Sequence, residues 1–368
     1  MRRILILHPA FTVRGGAERK ALVLAQYLLK HHHVEVACFE VDPARSFGEY
    51  LTGLHVRTFP AVGLGGRLMA LLRMARYARQ FDCVIAHNHP VQFAGWYRLI
   101  SSRPAFIWFC NETQLYLTDT LSKAGVIKRI FIGLMAVVER WLCWRFSAVV
   151  ANSQNTAGYI ARHLHVGAKV IYSGIDFSAY PSQWVSRYPD SNGLKLIVVS
   201  RLERAKEVDR LLPVLDALTV TYRLTIVGTG ADDKRLRAAF GGRPVEWVGS
   251  VSESEKIRLL CASDLFLFPT LNEPLGVTPI EAMACGLPVV AYRSGGVCET
   301  VVDGQTGRLV TDDMAFVDAI RELTADPQVY QKRSQAAFRH ARERFSVDAM
   351  GAQVEDLVSL VLNGPGPV

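Results

Sequence analysis

Two doubly wound α/β domains in tandem are predicted by three observations. Short β-type runs alternate with amphipathic helical patterns, the alternation restarts near Leu194 after a turn-rich stretch, and 368 residues, 50% of them hydrophobic, exceed one ordinary core. In the first series Ile4–His8, Val34–Phe39, Val56–Phe59, Cys83–His87, Ala105–Cys110, Ala148–Asn152 and Lys169–Ser173 read as strands. The second series is Leu196–Ser200, Leu224–Gly228, Glu246–Gly249, Leu265–Pro269 and Pro288–Ala291, each with a helical pattern after it. Apolar strands joined by helices imply parallel sheets covered on both faces. Between the series, Gly174 to Gly193 carries Pro181, Pro189 and Ser191-Asn192-Gly193, which break any regular period and mark a linker. Met350, Val354, Leu357, Val358 and Val361 recur at helical spacing and predict a terminal helix.

Composition narrows the function classes. No apolar run approaches the roughly 20 residues needed to span a bilayer, and His8 and Pro9 cut the N-terminal apolar run before it becomes a signal-peptide core. Seven cysteines without CxxC spacing point to a reducing, cytoplasmic setting with no disulfide framework and no structural zinc. The net charge of +8 belongs entirely to the N-terminal half, the C-terminal half being slightly acidic. That asymmetry suggests a polyanion near the first domain: an anionic membrane, a phosphorylated acceptor or nucleic acid.

Ligands of open α/β sheets bind beyond the carboxyl ends of the strands, so the strand-to-helix junctions carry the chemistry. Arg14-Gly15-Gly16-Ala17-Glu18 follows the first strand and opens a helix; its glycines let backbone amides approach an anion, or simply make a tight turn. After Leu196–Val199, Arg201 at the strand tip and Lys206 near the next helix can converge on a diphosphate, or stand as two solvated charges. Gly228-Thr229-Gly230 can lie against a nucleotide or merely end its strand. The most informative stretch runs from Asn272 to Gly286. There Thr278 suits an N-cap, Pro279 the first helical position and Glu281 the capping-box carboxylate, while the amides of Gly276, Val277 and Thr278 can face a ligand with Glu273 on the loop before them. Ser294-Gly295-Gly296 sets another glycine pair at a helix start. Asp232-Asp233 and Asp312-Asp313 read as solvated charges, not as a metal site. His31, His32 and His33 read as helix-end histidines facing the C-terminal dipole. His87, at a strand tip, touches a ligand or is buried as a structural residue.

NEPLGVTPIEAMACGLPVV followed by SGGVCETVVDGQTGRLV resembles the Glu-x7-Glu signature of retaining GT-B enzymes, glycosyltransferase family 4. SRLERAKEVDRLL and RGGAER match further family elements, in family order, over nearly the whole chain. The resemblance implies two Rossmann-like domains facing across a cleft: residues 1–176 with the terminal helix 348–368 crossing back to them as the acceptor domain, and 177–347 as the nucleotide-sugar domain. It further implies that Arg201 and Lys206 bind the diphosphate, Glu273 a hexose hydroxyl, Gly276 to Thr278 the sugar and phosphate, and Glu281 the ribose. Gly15, Gly16 and Gly228 fall on the donor side and His87, Asn111 and Glu112 on the acceptor side, with no metal and no cofactor beyond the nucleotide sugar. Two departures stand out. Asn111 occupies a position where the family often has histidine, so no proton can be exchanged there near neutral pH, and Lys206-Glu207 replaces Lys-Gly.

FLFPTLNEPLGVTPIEAMACGLPVVAYRSGG is most similar to mannosyltransferases acting on lipid-linked oligosaccharides, which implies GDP-mannose as donor; a UDP-hexose or UDP-N-acetylhexosamine enzyme is the near rival. A Rossmann dehydrogenase would need a GxGxxG that RGGAE does not supply. A nucleic-acid-binding protein would explain the basic half but not Glu273 and Glu281. Arg67, Arg73, Arg76 and Arg79 interleave with Leu68, Met69, Leu71, Leu72, Met74 and Tyr77, and Lys123 to Arg145 combines cations with Trp141 and Trp144. Both patterns fit a peripheral anionic-membrane surface as well as two core-facing helices with solvated arginines.

Overall fold

A computed structural model describes residues 1–111, 137–190 and 193–363. The chain divides into two compact units, Met1–Ile175 with Val347–Val368, and Asp176–Ser346. The N-terminal unit holds a seven-stranded parallel sheet made of β1 (Arg3–Leu7), β3 (His33–Cys38), β5 (His55–Thr58), β6 (Cys83–His87), β7 (Ala105–Cys110), β8 (Ala148–Ala151) and β9 (Lys169–Val170). Its order is β5-β3-β1-β6-β7-β8-β9, and β2 (Ala10–Phe11) pairs separately with β4 (Glu40–Val41). The central strands are apolar along most of their length because both faces are covered; Ile4, Leu5, Ile6 and Leu7 have no solvent exposure. Ile4 and Ile6 point to one core, shared with the first helix Gly16–Leu29, and Leu5 and Leu7 to the other, shared with the helix Gly63–Ala78. Met350, Val354, Leu357 and Val358 of the terminal helix Val347–Asn363 enter the first of these cores, so the chain's last helix completes its first domain.

The second unit holds a six-stranded parallel sheet built from β10 (Leu194–Val199), β11 (Tyr222–Val227), β12 (Val245–Gly249), β13 (Leu265–Phe268), β14 (Val289–Tyr292) and β15 (Gly307–Val310), in the order β12-β11-β10-β13-β14-β15. The chain winds outward from β10 to β12 and returns to β13, which puts the topological switch point between β10 and β13. In the first sheet the corresponding switch point lies between β1 and β6.

Three local expectations are corrected. The stretch expected as a linker is anchored to the second unit: Trp184 Nε1 donates to Ser334 Oγ at 2.9 Å, Arg187 Nη2 to the Cys285 carbonyl at 3.1 Å and the Tyr188 hydroxyl to the Thr324 carbonyl at 2.6 Å. Proline and glycine report the loss of a regular period, not the loss of packing. The histidine run is divided. His32 Nε2 lies 3.7 Å from Glu355 on the terminal helix, and His33 opens β3 and pairs with buried Glu35, which also takes His55 Nδ1 at 2.8 Å. Asp232 is buried and paired with Arg235, so it is not a solvated charge, whereas Asp312 is exposed as expected and caps the helix Asp313–Ala325 through the Ala315 amide.

Candidate active site

The second sheet brings Lys206 and Glu273 together across its switch point. Lys206 belongs to the short turn Arg204–Lys206 after β10, Glu273 to the loop after β13, and their Nζ and Oε2 atoms are 2.6 Å apart, both largely buried. Glu273 therefore has a structural partner that its sequence position does not reveal. The two loops are braced further: Thr270 Oγ1 donates to the Lys206 carbonyl at 3.1 Å, and the Leu271 amide donates to Glu207 Oε2 at 3.1 Å. Glu207 itself adopts φ 48°. A left-handed non-glycine residue costs roughly 1–2 kcal/mol, and the carboxylate that replaces the family's glycine offsets this by holding the neighbouring loop.

A second brace fixes Glu273 from the β14 side. Ser294 Oγ accepts from the Asn272 amide and donates to Asn272 Oδ1, both at 3.1 Å, and the Gly296 amide donates to the Glu273 carbonyl at 2.7 Å. A Cβ at Gly296 would lie 2.1 Å from the Pro274 carbonyl oxygen, so the glycine pair serves this backbone contact. Gly228 has a similar cause, since a Cβ there would lie 1.9 Å from the Ser200 carbonyl oxygen. Arg201 is arranged differently. Its guanidinium is two-thirds exposed and donates to Glu203 at 3.0 Å, a surface pair that a phosphate can displace at little cost.

The helix Val277–Ala284 begins at Val277 with Gly276 as N-cap at φ 85°, so Thr278 is the second helical residue and Pro279 the third, not the cap and first position expected from the sequence. A first-turn proline is still tolerated because amides there lack helical acceptors. Val277 and Thr278 present those amides at the switch-point edge. Glu281, 4% exposed, accepts from Lys256 Nζ at 2.8 Å, and Lys256 also pairs with Glu253 at 3.0 Å. Lys256 was not legible as a site residue, and Ser294 was read only as part of a glycine turn. Lys256 lies 25 positions from its partner on a helix that otherwise reads as a solvated face.

In the N-terminal unit Gly15 is the N-cap of the helix Gly16–Leu29 with the Glu18 carboxylate folded against it, while a Cβ at Gly16 would meet nothing. At the carboxyl edge of that sheet, Asn111 follows β7 and is linked to two residues that no sequence motif singles out: Lys20 Nζ donates to Asn111 Oδ1 at 2.8 Å, and Asn111 Nδ2 donates to Asn88 Oδ1 at 2.8 Å. His87 is completely buried and stacked on Phe109 with ring centroids 4.8 Å apart; burial, then Lys20 and His8, push its pKa well below the ordinary value. Burial also lowers Lys20 to about 7 and His8 to about 4. Glu112 lies outside the described residues.

The basic half carries exposed apolar side chains. On the helix Gly63–Ala78, Leu71, Met74 and Tyr77 are buried, whereas Leu64, Leu68, Met69 and Leu72 are exposed among Arg67, Arg73 and Arg76. Trp141 and Trp144 are exposed, with the Arg140 guanidinium 5.2 Å from the Trp144 ring; residues 123–136 of the second basic pattern lie outside the described residues. Among the described residues no helix is long and apolar enough to cross a membrane, and no group of three or more His, Cys, Asp or Glu converges as a metal site.

Comparison with known proteins gives two family models in tandem: Glycosyltransferase Family 4 over residues 14–179 and Glycosyl transferases group 1 over residues 186–340. The alpha-1,3/1,6-mannosyltransferase ALG2 of Homo sapiens is 26% identical over 98% of this chain and 96% of its own. The glycogen synthase of Mycobacterium tuberculosis is 29% identical over 64% of this chain and 58% of its own. Among solved structures, Anabaena HepE in complex with UDP and glucose superposes with a TM-score of 0.77 at 23% identity, covering 98% of this chain and all of that one.

Proposed function

Because the chain belongs to the family 4 glycosyltransferases of GT-B fold, we propose that it is a retaining hexosyltransferase. In this reading it moves mannose from GDP-mannose to a hydroxyl of a lipid-linked or other glycan acceptor, without a metal, at an anionic membrane surface. The observation that carries the donor side is the Lys206–Glu273 pair at the switch point of the second sheet. Arg201, Lys206 and the amides of Gly276, Val277 and Thr278 take the diphosphate, Glu273 orients a hexose hydroxyl, and Glu281, held by Lys256, receives the ribose. GDP-mannose is favoured by the relationship to an alpha-1,3/1,6-mannosyltransferase along nearly the full length of both chains.

The reaction forms a bond between the acceptor oxygen and the anomeric carbon and breaks the bond from that carbon to the diphosphate, on the same face of the sugar. No described carboxylate is assigned as a covalent nucleophile, in contrast to the paired carboxylates of retaining glycosidases. The departing diphosphate takes the electron pair and the acceptor proton, and the cations and amides stabilise its developing charge. Titrations with GDP, UDP and ADP sugars, followed by a donor-hydrolysis assay with and without a chelator, test this reading. GDP-mannose is expected to bind tightest and chelation to leave hydrolysis unchanged. Preference for a UDP sugar would replace the donor, and binding of oligonucleotide but no nucleotide sugar would overturn the enzyme assignment.

The acceptor reading places the Leu64, Leu68 and Leu72 face with Arg67, Arg73 and Arg76 on an anionic lipid surface. Vesicles containing anionic lipid are expected to sediment the protein at low salt and to release it as salt rises, because such attraction is screened within about 10 Å at 0.1 M. Equal sedimentation with neutral vesicles, or none with either, would remove the membrane from the proposal.

A further inference from the structure

In the second unit the helix Glu253–Ala262 and the helix Val277–Ala284 are joined at two levels. At the first, Lys256 Nζ donates to Glu281 Oε1 at 2.8 Å. At the second, where both helices end, the side chains of Cys261 and Cys285 hydrogen-bond to each other. One guanidinium holds both cysteine backbones: Arg187 Nη1 donates to the Cys261 carbonyl, and Nη2 to the Cys285 carbonyl at 3.1 Å. Arg342 Nη1 donates to the Ala284 carbonyl at 3.3 Å, so a second cation stands beside Cys285. Cys261 is partly exposed, whereas Cys285 is buried.

Cysteine reactivity follows thiolate character, cationic neighbours and access. The hydrogen bond from Cys285, and then Arg187, hold the Cys261 thiol below its ordinary value, while the same bond and burial raise Cys285. Cys261 is thus the attacking thiol and Cys285 the resolving one. The other cysteines lack this combination. Cys38, Cys83 and Cys143 are buried and pushed up by burial, Cys110 is buried, and Cys298 is exposed but its thiol is also raised.

We infer that Cys261 and Cys285 form a reversible disulfide site, oxidised by peroxides, which on the transferase reading above weakens donor binding through Glu281.

The Cys261 sulfur attacks an oxygen of hydrogen peroxide; an S–O bond forms, the O–O bond breaks, and the leaving oxygen takes up a proton and departs as water. The Cys285 sulfur then attacks the sulfenic sulfur, forming the S–S bond, breaking S–O and releasing a second water. Two thiols and one peroxide thus give one disulfide and two waters, and two electrons pass from the sulfurs to the peroxide. A dithiol reductant reverses the bond by thiolate exchange and becomes the disulfide itself. An S–S bond is about 2.05 Å long, shorter than any hydrogen-bonded separation of two sulfurs. Closure therefore draws the carboxyl end of the helix Val277–Ala284 towards its neighbour. Glu281 lies one turn before Cys285 on the same face, so the bond moves the carboxylate assigned to the ribose, and with it the amides that open the same helix.

In the test the full-length protein is treated with hydrogen peroxide, remaining thiols are alkylated, and peptides are mapped by mass before and after a dithiol reductant. The Cys261 and Cys285 peptides are expected as one cross-linked species, two hydrogens lighter than the separate pair, that comes apart on reduction. Calorimetry with GDP and UDP on the same samples is expected to show the better-bound nucleotide losing about tenfold in affinity on oxidation, within the range of couplings between linked sites, and regaining it on reduction. Cys261→Ala and Cys285→Ala are each expected to bind nucleotide as the reduced protein does and to lose the response to peroxide, while Cys298→Ser keeps it. Oxidation confined to Cys298, or Cys261 carried to the sulfinic acid without a cross-link, would overturn the site. A cross-link that leaves nucleotide affinity unchanged would overturn its effect on the donor. If the cross-link forms but the reduced protein binds neither nucleotide, the transferase reading fails and the disulfide site stands; if nucleotide binds and no cross-link forms, only the disulfide site fails.

Discussion

Lys206→Ala and Arg201→Ala are each expected to slow hexose transfer by about 10²-fold or more, the usual cost of removing one group that stabilises charge developing in the transition state. The two variants should fail in different ways. Arg201 is two-thirds exposed and, among the described residues, its guanidinium is bonded only to Glu203, so its loss removes a ligand contact and leaves the fold intact. Initial rates should fall while the unfolding midpoint stays within the small range typical of surface changes. Lys206 is largely buried against Glu273 at 2.6 Å, and its removal strands a carboxylate as well as deleting a cation. Lys206→Ala is therefore expected to lose donor affinity and stability together. Combining it with Glu273→Gln should recover part of the stability, because the uncompensated charge is gone, without recovering transfer. Near-normal turnover in either single variant would refute this division of labour.

The largest expected stability effect concerns Lys20. Burial holds its amine at about 7 against an ordinary 10.5, so the unfolded chain binds a proton that the folded chain gives up throughout the window between those values. Stability rises with pH wherever the unfolded state carries more protons, so this residue costs the fold most below pH 7 and progressively less up to pH 10.5. The full cost is at most about 4–5 kcal/mol, because each tenfold loss of proton affinity on folding is worth about 1.36 kcal/mol. Lys20→Met removes it. Urea unfolding of the two proteins side by side is expected to show the variant gaining relative stability at neutral pH and losing that advantage as the pH approaches 10. A stability difference independent of pH across that range would mean that the amine is not held neutral by burial.

The sequence already determined the architecture. Apolar runs such as Leu5 to Leu7 and Leu265 to Phe268, punctuated by helical periods, specify parallel strands buried on both faces, because no half-solvated strand could carry them. The order of elements from Gly15-Gly16 through Arg201, Lys206, Glu273 and Glu281 was equally legible, since each sits at a strand-to-helix junction where backbone chemistry alone makes the spacing meaningful. The tertiary structure decided the partners. That Glu281 meets Lys256, that Glu273 meets Lys206, and that Asn111 meets Lys20 across 91 positions of chain depends on which strands lie side by side. The capping-box reading of Glu281 failed for a related reason: the helix starts at Val277 with Gly276 as a left-handed N-cap, which puts Glu281 past the first turn. Periodicity encodes which face of an element is buried, but not which distant side chain waits there; that follows only when strand order and register bring two sequence-remote edges to hydrogen-bonding distance.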